Sequence, residues 1–330
     1  MIGVAIATYR SEAIITGCLD SLYACREDIG RIVITDNASG DATCETIRNW
    51  AAARDISFAE AAAGALTAPA AWLTLLHSPI NGGFAYATNR GLEWLLRDSQ
   101  IGLFWLVNPD CLVSRDAAAH FRRAGRDPDF ALMGGRTLFE EQRSTIQTDG
   151  GRVSRWTGVC KSVNAGQPAA SAPFPDAATL DYITGANCVA SRRFLENVGL
   201  MEEDYFLYYE EVDWAMRRGD LPLRVVRDAV VFHYGGTSIG SGTVGRRPSP
   251  FSNYFNYRNR MRFVRRHRPL AAPVALAHGL AKALQLLVRA TPAEAHAVLT
   301  GILGLAPPQA VRAILPPEAH GHAFGTAKQG

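Results

Sequence analysis

What this chain lacks sets the first limits on it. Its six cysteines (Cys18, Cys25, Cys44, Cys111, Cys160 and Cys188) are scattered, with no C-x-x-C and no zinc-like spacing. Free, buried thiols in a reducing compartment are therefore expected, not a disulfide framework. No secretory leader is expected either, because Ile2-Gly3-Val4-Ala5-Ile6-Ala7 follows the first methionine with no basic region and no cleavage site. No run of about 18 apolar residues is free of charge, so no membrane-crossing helix is expected. Internal repeats and low-complexity blocks are missing, and with 48% hydrophobic and 20% charged residues the composition excludes disorder, collagen and coiled coil. Strong net charge is missing too: 34 Lys+Arg against 31 Asp+Glu leave +3, which argues for neither nucleic acid nor membrane.

The distribution of that charge is uneven. From Ser241 onward there are twelve basic and two acidic residues, against 22 basic and 29 acidic before it. A length of 330 residues allows one large or two small domains. The expected division is a catalytic body at 1–240 and a basic, mainly helical extension at 241–330.

What is present alternates. Gly3 to Thr8, Arg31 to Thr35, Trp72 to His77 and Ile101 to Val107 are short apolar runs suited to buried strands. Between them Ser11 and Asp41 are placed to cap helices, a third helix follows Asn81-Gly82-Gly83-Phe84 to Leu96, and Ser114 precedes a fourth. Ala59 to Ala71, rich in Ala, Gly and Pro, reads as a surface insertion. Farther on, Phe130 to Gly135, Thr145 to Asp149 and Leu180 to Thr184 read as short strands, and Ser191 as the cap of a short helix. Glu210 to Arg218 reads as a helix with an acidic first turn, and Leu223 to Phe232 as a strand ending at His233. The pattern predicts an α/β fold, an open and mostly parallel sheet flanked by helices, with ligands beyond the carboxyl ends of the strands.

Polar residues collect at those ends. Asp110 follows a strand and a proline, where a carboxylate suits a divalent cation, a ribose hydroxyl or an Asx-type turn. Asp36-Asn37 suits a nucleobase and its ribose, or a turn feeding Asp41. The Asn81-Gly82-Gly83-Phe84 loop opens a helix as a phosphate-approach loop does, yet matches neither G-x-G-x-x-G nor G-x-x-x-x-G-K-[ST]. Glu210, Glu211 and Asp213 crowd three carboxylates, which raises at least one as a proton acceptor or simply complements the helix dipole. His233 suits a metal ligand, with Asp110 as partner for Mn or Mg, or a structural role.

Taken in order, seven short motifs are specific: Ala7-Thr8-Tyr9-Arg10, Asp36-Asn37-Ala38-Ser39, Asn81-Gly82-Gly83-Phe84-Ala85 with Asn89, Asn108-Pro109-Asp110, Thr184-Gly185-Ala186, Phe206 through Asp213, and His233-Tyr234-Gly235-Gly236-Thr237-Ser238. Over Ile2 to Arg268 the chain resembles the family 2 inverting glycosyltransferases of the GT-A fold, especially their rhamnosyltransferase-like bacterial branch. The resemblance implies a nucleotide-sugar site built from Thr8, Tyr9, Arg10, Asp36, Asn37, Gly82, Gly83, Phe84, Asn89, Asn108 and Asp110. It implies Asp110 and His233 as protein ligands of a divalent cation, Mn or Mg. Glu211 becomes the general base, flanked by Glu210 and Asp213, and Thr184, Gly185 and Ala186 border the sugar and acceptor pocket. Asn108 stands where many members have an acid, and Glu211 where aspartate is usual.

The implied reaction moves a sugar, with rhamnose from a deoxythymidine-diphosphate (dTDP-rhamnose) donor favoured, onto a saccharide or lipid-linked saccharide in cell-surface polysaccharide synthesis. A cytoplasmic enzyme follows, either free or peripheral at the inner face of the plasma membrane. Two rivals are a sugar-1-phosphate nucleotidyltransferase and a non-catalytic membrane-associated scaffold; the first has a glycine-rich basic loop where this chain has Thr8-Tyr9-Arg10-Ser11. In the basic tail, Tyr254 to Arg268 interleaves aromatics and arginines at helical spacing. Such a helix could meet a diphosphate or anionic acceptor, anionic lipid, or water alone. Nucleic acid is not expected, since no recognised binding fold accompanies the patch. The apolar segments from Ala271 to Leu305 suit packing on the body, a homo-oligomer contact or a membrane surface.

Overall fold

The structure, a computed structural model, describes residues 1–65, 71–235 and 247–325. Its strands are β1 (Ile2–Thr8), β2 (Ile29–Asp36), β3 (Phe58–Ala62), β4 (Leu73–His77), β5 (Leu103–Val107), β6 (Cys111–Val113), β7 (Leu132–Phe139), β8 (Ile146–Thr148), β9 (Gly151–Val153), β10 (Cys160–Ser162), β11 (Asn187–Ser191) and β12 (Arg224–His233). The helices are α1 (Ile15–Tyr23), α2 (Thr43–Ala52), α3 (Phe84–Leu96), α4 (Ala117–Ala124), α5 (Arg192–Val198), α6 (Glu210–Met216), α7 (Pro250–His267), α8 (Ala272–Val288), α9 (Pro292–Leu303), α10 (Gln309–Arg312) and α11 (His320–Phe324). One mixed sheet runs β3-β4-β2-β1-β5-β11-β7-β12-β6, with β8 on β7, and β9 pairs separately with β10.

The first five strands pair in parallel, and their register aligns Thr8 with Asp36 and Asp36 with His77. That alignment gathers the polar strand ends on one rim. Strands β1 and β5 read as continuous apolar runs because helices cover both faces. Their side chains alternate between two cores. Val4, Ile6, Leu103 and Trp105 pack with α1, α2 and α4, whereas Ala5, Phe104 and Leu106 pack with α3, α5, α6 and the C-terminal helices.

Several local expectations need correction. The start of the expected insertion is the edge strand β3, paired in parallel with β4 from Phe58–Leu73 to Ala62–His77; its alanines hid it, being poor strand formers. Residues 66–70 lie outside the described residues. Leu180 to Thr184 contributes only a single bridge, Gly151 to Tyr182. The true strand, β11, sits antiparallel between β5 and β7, with its polar Asn187 receiving a hydrogen bond from the Trp105 indole at 3.0 Å. Ser191 does cap α5, accepting from the Phe194 amide at 3.0 Å. Ser11 and Ser114 instead accept helix-start amides through their carbonyls.

All six cysteines are free thiols. The expected boundary between 240 and 241, like Gly236, Thr237 and Ser238 of the last motif, lies outside the described residues. Past it, α7 contributes Tyr257, Met261, Phe263 and Val264 to the core that also contains α3 and α6. The expectation of no membrane-crossing helix does not hold on length and composition. Pro269–Val288 is long and apolar enough to cross, with little of it buried and Lys282 its one charge.

Candidate active site

A cavity of about 630 Å³ opens beyond the carboxyl ends of β1, β2, β5 and β12. From β1 come Thr8, Tyr9 and Arg10, the last with left-handed backbone (φ 51°) and its amide donating to the Ser39 hydroxyl at 3.0 Å. After β2, Asn37 stitches the rim to the α3 loop. Its Oδ1 accepts from the Gly82 amide and its Nδ2 donates to the Gly83 carbonyl, each at 3.0 Å. Gly83 and Phe84 line the cavity at the start of α3, and Thr184, Gly185 and Ala186 line it just before β11.

After β5 the chain turns through Asn108 and Pro109 to Asp110, which lies 3.1 Å (Oδ1) from the Nε2 of His233 at the end of β12. Gln147, from β8, faces the other ring nitrogen: Oε1 accepts from His233 Nδ1 at 2.7 Å. In the tautomer with its proton on Nδ1, donating to Gln147, the ring would present the Nε2 lone pair toward the carboxylate. His233 Nε2 and Asn108 Oδ1 are both buried without hydrogen-bond partners among the described residues. Two electron-rich atoms converging this closely fit a cation between them. Cys111 brings a third ligand atom within 4.8 Å. Burial and the neighbouring Asp110 push its thiol well above its usual value, and it donates toward the Ala186 carbonyl at 3.4 Å. The hard donors there are the Asp110 carboxylate and the His233 imidazole, a pair that suits Mn or Mg.

The acidic motif enters through a strained turn. Phe206, Tyr208 and Tyr209 all have left-handed backbone (φ 62°, 69° and 75°), each costing roughly 1–3 kcal/mol. The strain is held from α7. The Asn259 amide donates to the carbonyls of Tyr205, Leu207 and Tyr208 (2.6–3.0 Å), and Arg258 donates to Tyr205 at 2.9 Å. This aims Glu210 and Glu211 at the cavity. Burial, with the charge of Glu211 beside it, pushes Glu210 up to about 8, and its Oε2 has no partner among the described residues. Burial also raises Glu211. Glu210 is the more enclosed of the two, so it is the one that keeps its proton near neutrality.

A stability signature follows. Glu210 binds its proton more tightly folded than unfolded, so its contribution is complete below about pH 4.5 and is lost as pH rises through about 8. Glu210→Gln removes that dependence. Urea denaturation should find the variant gaining on the wild type between pH 5 and 8, by on the order of 2–4 kcal/mol at the upper end.

No protein-family model matches the chain. A curated relative, the low-salt glycan biosynthesis hexosyltransferase Agl10 of Haloferax volcanii, is 21% identical over 218 residues, 66% of this chain and 61% of the relative. The chain thus spans less than two thirds of that relative's length. S. aureus TarS 1–349 in complex with UDP-GlcNAc superposes with a TM-score of 0.54 at 14% identity, covering 95% of this chain and 83% of that one. Mannosyltransferase PcManGT from Pyrobaculum calidifontis, in complex with GDP-Man and Mn2+, gives 0.51 at 16% identity, covering 95% and 72%. The fold is the GT-A glycosyltransferase fold.

On this GT-A frame most of the residues singled out from sequence meet in one cavity, but four do not line it. Asp36 turns inward: Oδ1 accepts from Thr8 and from the Ser39 hydroxyl, and Oδ2 from the Ser39 amide at 3.1 Å, so it braces the loop that presents Asn37. Gly82 lies behind Asn37. Asn89 staples α3 to Met201 and Glu203, at 2.9 Å to each acceptor. Asp213 is fully buried among Tyr205, Arg217, Arg266 and His267. Burial pushes its carboxyl upward, but His267, Arg217 and Arg266 outweigh it and hold it below the usual range. It anchors α6 to α7 and is not placed for chemistry on a cavity ligand.

The α7 arginines, for which a diphosphate or anionic acceptor is one of three open partners, are mostly engaged elsewhere. Arg260 stacks on Tyr257, Arg262 meets Asp204, Arg266 meets Glu202 at 2.8 Å and Arg268 meets the Val153 carbonyl. Gln147 carried no motif. Arg258-Asn259, an adjacent polar pair inside an aromatic-rich helix, was the readable sign that this helix serves the body.

Proposed function

We propose that this chain is an inverting glycosyltransferase. It moves a sugar, rhamnose favoured, from a nucleoside-diphosphate donor to a hydroxyl of a saccharide or lipid-linked saccharide acceptor. The observation that carries the reading is one cavity holding both the Asp110–His233 pair and the Glu210–Glu211 pair at the strand ends. The mannosyltransferase with GDP-Man and Mn2+ and TarS with UDP-GlcNAc support it as neighbours in fold, and the hexosyltransferase relative supports it in sequence.

The roles follow from position. Thr8, Tyr9, Arg10 and Asn37 hold the nucleoside end, and Gly83 admits the Phe206 turn close against the start of α3. Asp110 and His233 hold a divalent cation, with Gln147 keeping the imidazole in the ligating tautomer. When bound, the cation neutralises charge building on the leaving diphosphate. Glu211 takes the acceptor hydroxyl's proton as that oxygen attacks the anomeric carbon opposite the leaving group. Glu210, protonated beside it, adds no second negative charge to repel the developing alkoxide.

The test is a thermal-shift panel of nucleotide-sugars with Mn or Mg, run on the wild type and on Asp110→Ala. A donor that binds the folded state raises the melting temperature by mass action. One donor should stabilise selectively in the presence of cation, and Asp110→Ala should weaken that cation-dependent affinity by about tenfold or more. Equal shifts for both proteins would remove Asp110 from the site.

A further inference from the structure

We propose that the outward face of α8 is a docking surface for the anionic face of a lipid bilayer. A surface helix ordinarily turns its apolar stripe to the core and polar residues to water. Here the inward stripe is Ala275, Gly279, Ala283 and Leu286, yet the outward face is apolar as well. Leu270, just before the helix, is 94% exposed; Leu284, Leu287 and Val288 are 62%, 55% and 81% exposed. Leu303 and Leu305, at the end of α9, extend the patch. Exposed leucines scattered singly need no explanation, but a contiguous ridge at helical spacing does.

The helix lies on the protein. Gly279 packs so closely under Ile302 of α9 that an added Cβ would meet that side chain at 2.6 Å. One side of α8 is thus committed to protein, which favours an interfacial helix over a membrane-crossing one.

Charge selects the occupant. Arg265, near the end of α7, and Arg289, just past the end of α8, are both exposed, and neither forms an ion pair among the described residues. Lys282, on α8 itself, is a further cation, and α8 carries no acidic residue. An isologous contact with a second copy would set basic rim against basic rim. Anionic headgroups complement that rim while acyl chains receive the leucines. Ile314 and Leu315, from the same C-terminal unit, also line the cavity, so the unit that meets lipid walls the site where a lipid-linked acceptor would enter. Only that last consequence rests on the transferase reading.

Cosedimentation of the full chain with vesicles tests the docking without any sugar donor. Binding is expected to phosphatidylcholine vesicles containing phosphatidylglycerol, weaker binding to phosphatidylcholine alone, and release by salt. Leu270→Glu with Val288→Glu, both at highly exposed positions, should lower vesicle partition by about 100-fold with an unchanged melting temperature. Leu284→Glu with Leu287→Glu is the second pair, and Arg265→Glu with Arg289→Glu should remove the preference for anionic lipid. Unaltered partition in the first two pairs, or no vesicle binding by the wild type, overturns the proposal. So does a dimer in light scattering that Leu270→Glu with Val288→Glu dissociates, which would assign the face to a second copy. Nucleotide-induced thermal shifts on the same preparations separate a failure of docking from a failure of the transferase reading.

Discussion

Glu211→Gln is expected to lower sugar transfer by about 10²–10⁴-fold while leaving nucleotide affinity nearly unchanged. The substitution keeps the side chain's length and its place at the start of α6 but removes the only group at that point able to take a proton. Glu210 cannot replace it, being more enclosed and holding its own proton up to about pH 8. Asp213 cannot either, because its oxygens are engaged by Tyr205, Arg217 and His267 on the far side of the helix. Turnover at saturating donor and calorimetric nucleotide affinity check the two halves of the prediction separately. Retention of more than about a tenth of the wild-type rate would sink the base assignment. The raised position of Glu211 also has a sign: transfer should fall away on the acid side above the usual glutamate range, because burial favours the protonated, inactive carboxyl.

Much of the fold was legible because parallel strands buried on both faces announce themselves as unbroken apolar runs. The strand ends were legible for the same reason, since the run stops where the polar rim begins at Thr8, Asp36 and Asn108. What stayed hidden was whatever depends on long-range partners. Strand β11 starts and ends on polar residues, and the Trp105 indole, the α5 start and the Phe130 carbonyl explain why Asn187 and Ser191 are buried. Asp36 and Asn37 are equally polar neighbours, yet one braces the loop while the other faces the cavity; nothing local distinguishes them.

The carboxylates show the same limit. Glu210, Glu211 and Asp213 looked like one acidic cluster, but a helix rotates successive residues by about 100°, so Asp213 lies about 200° round from Glu211 and faces away from it. There it meets Arg217 and His267, the second of which lies 54 residues away. For the arginines of α7 the sequence leaves a diphosphate or anionic acceptor, anionic lipid and water open as partners, and most of them meet the body instead. Arg258, Arg262, Arg266 and the following Arg268 brace carbonyls and acids of the body, whereas Arg265 in α7 and Arg289 after α8 form no ion pair among the described residues.

Gly83→Ala is expected to destabilise the protein by about 2–4 kcal/mol and to displace the acidic turn from the cavity. Gly83 precedes α3 at φ 93° and ψ 178°, a conformation open essentially to glycine alone. An added Cβ would meet the Phe206 carbonyl oxygen at 2.3 Å and its Cα at 2.8 Å, both backbone atoms that cannot rotate away. Relief requires the turn to retreat, and the turn is fixed from both sides. The Phe84 amide donates to the Phe206 carbonyl at 2.8 Å, and Asn259 holds the carbonyls of Tyr205, Leu207 and Tyr208. The clash therefore breaks a helix-start hydrogen bond and loosens the three left-handed residues that aim Glu210 and Glu211. Chemical denaturation measures the stability loss. The functional part is separable, because the residues proposed to hold the nucleoside, Thr8, Tyr9 and Arg10, lie at and just after the end of β1 and not in the turn. Gly83→Ala should thus lose turnover well beyond its loss of nucleotide affinity at a temperature where it remains folded. Equal losses in both would mean that the glycine serves the donor directly and that the turn tolerates its displacement.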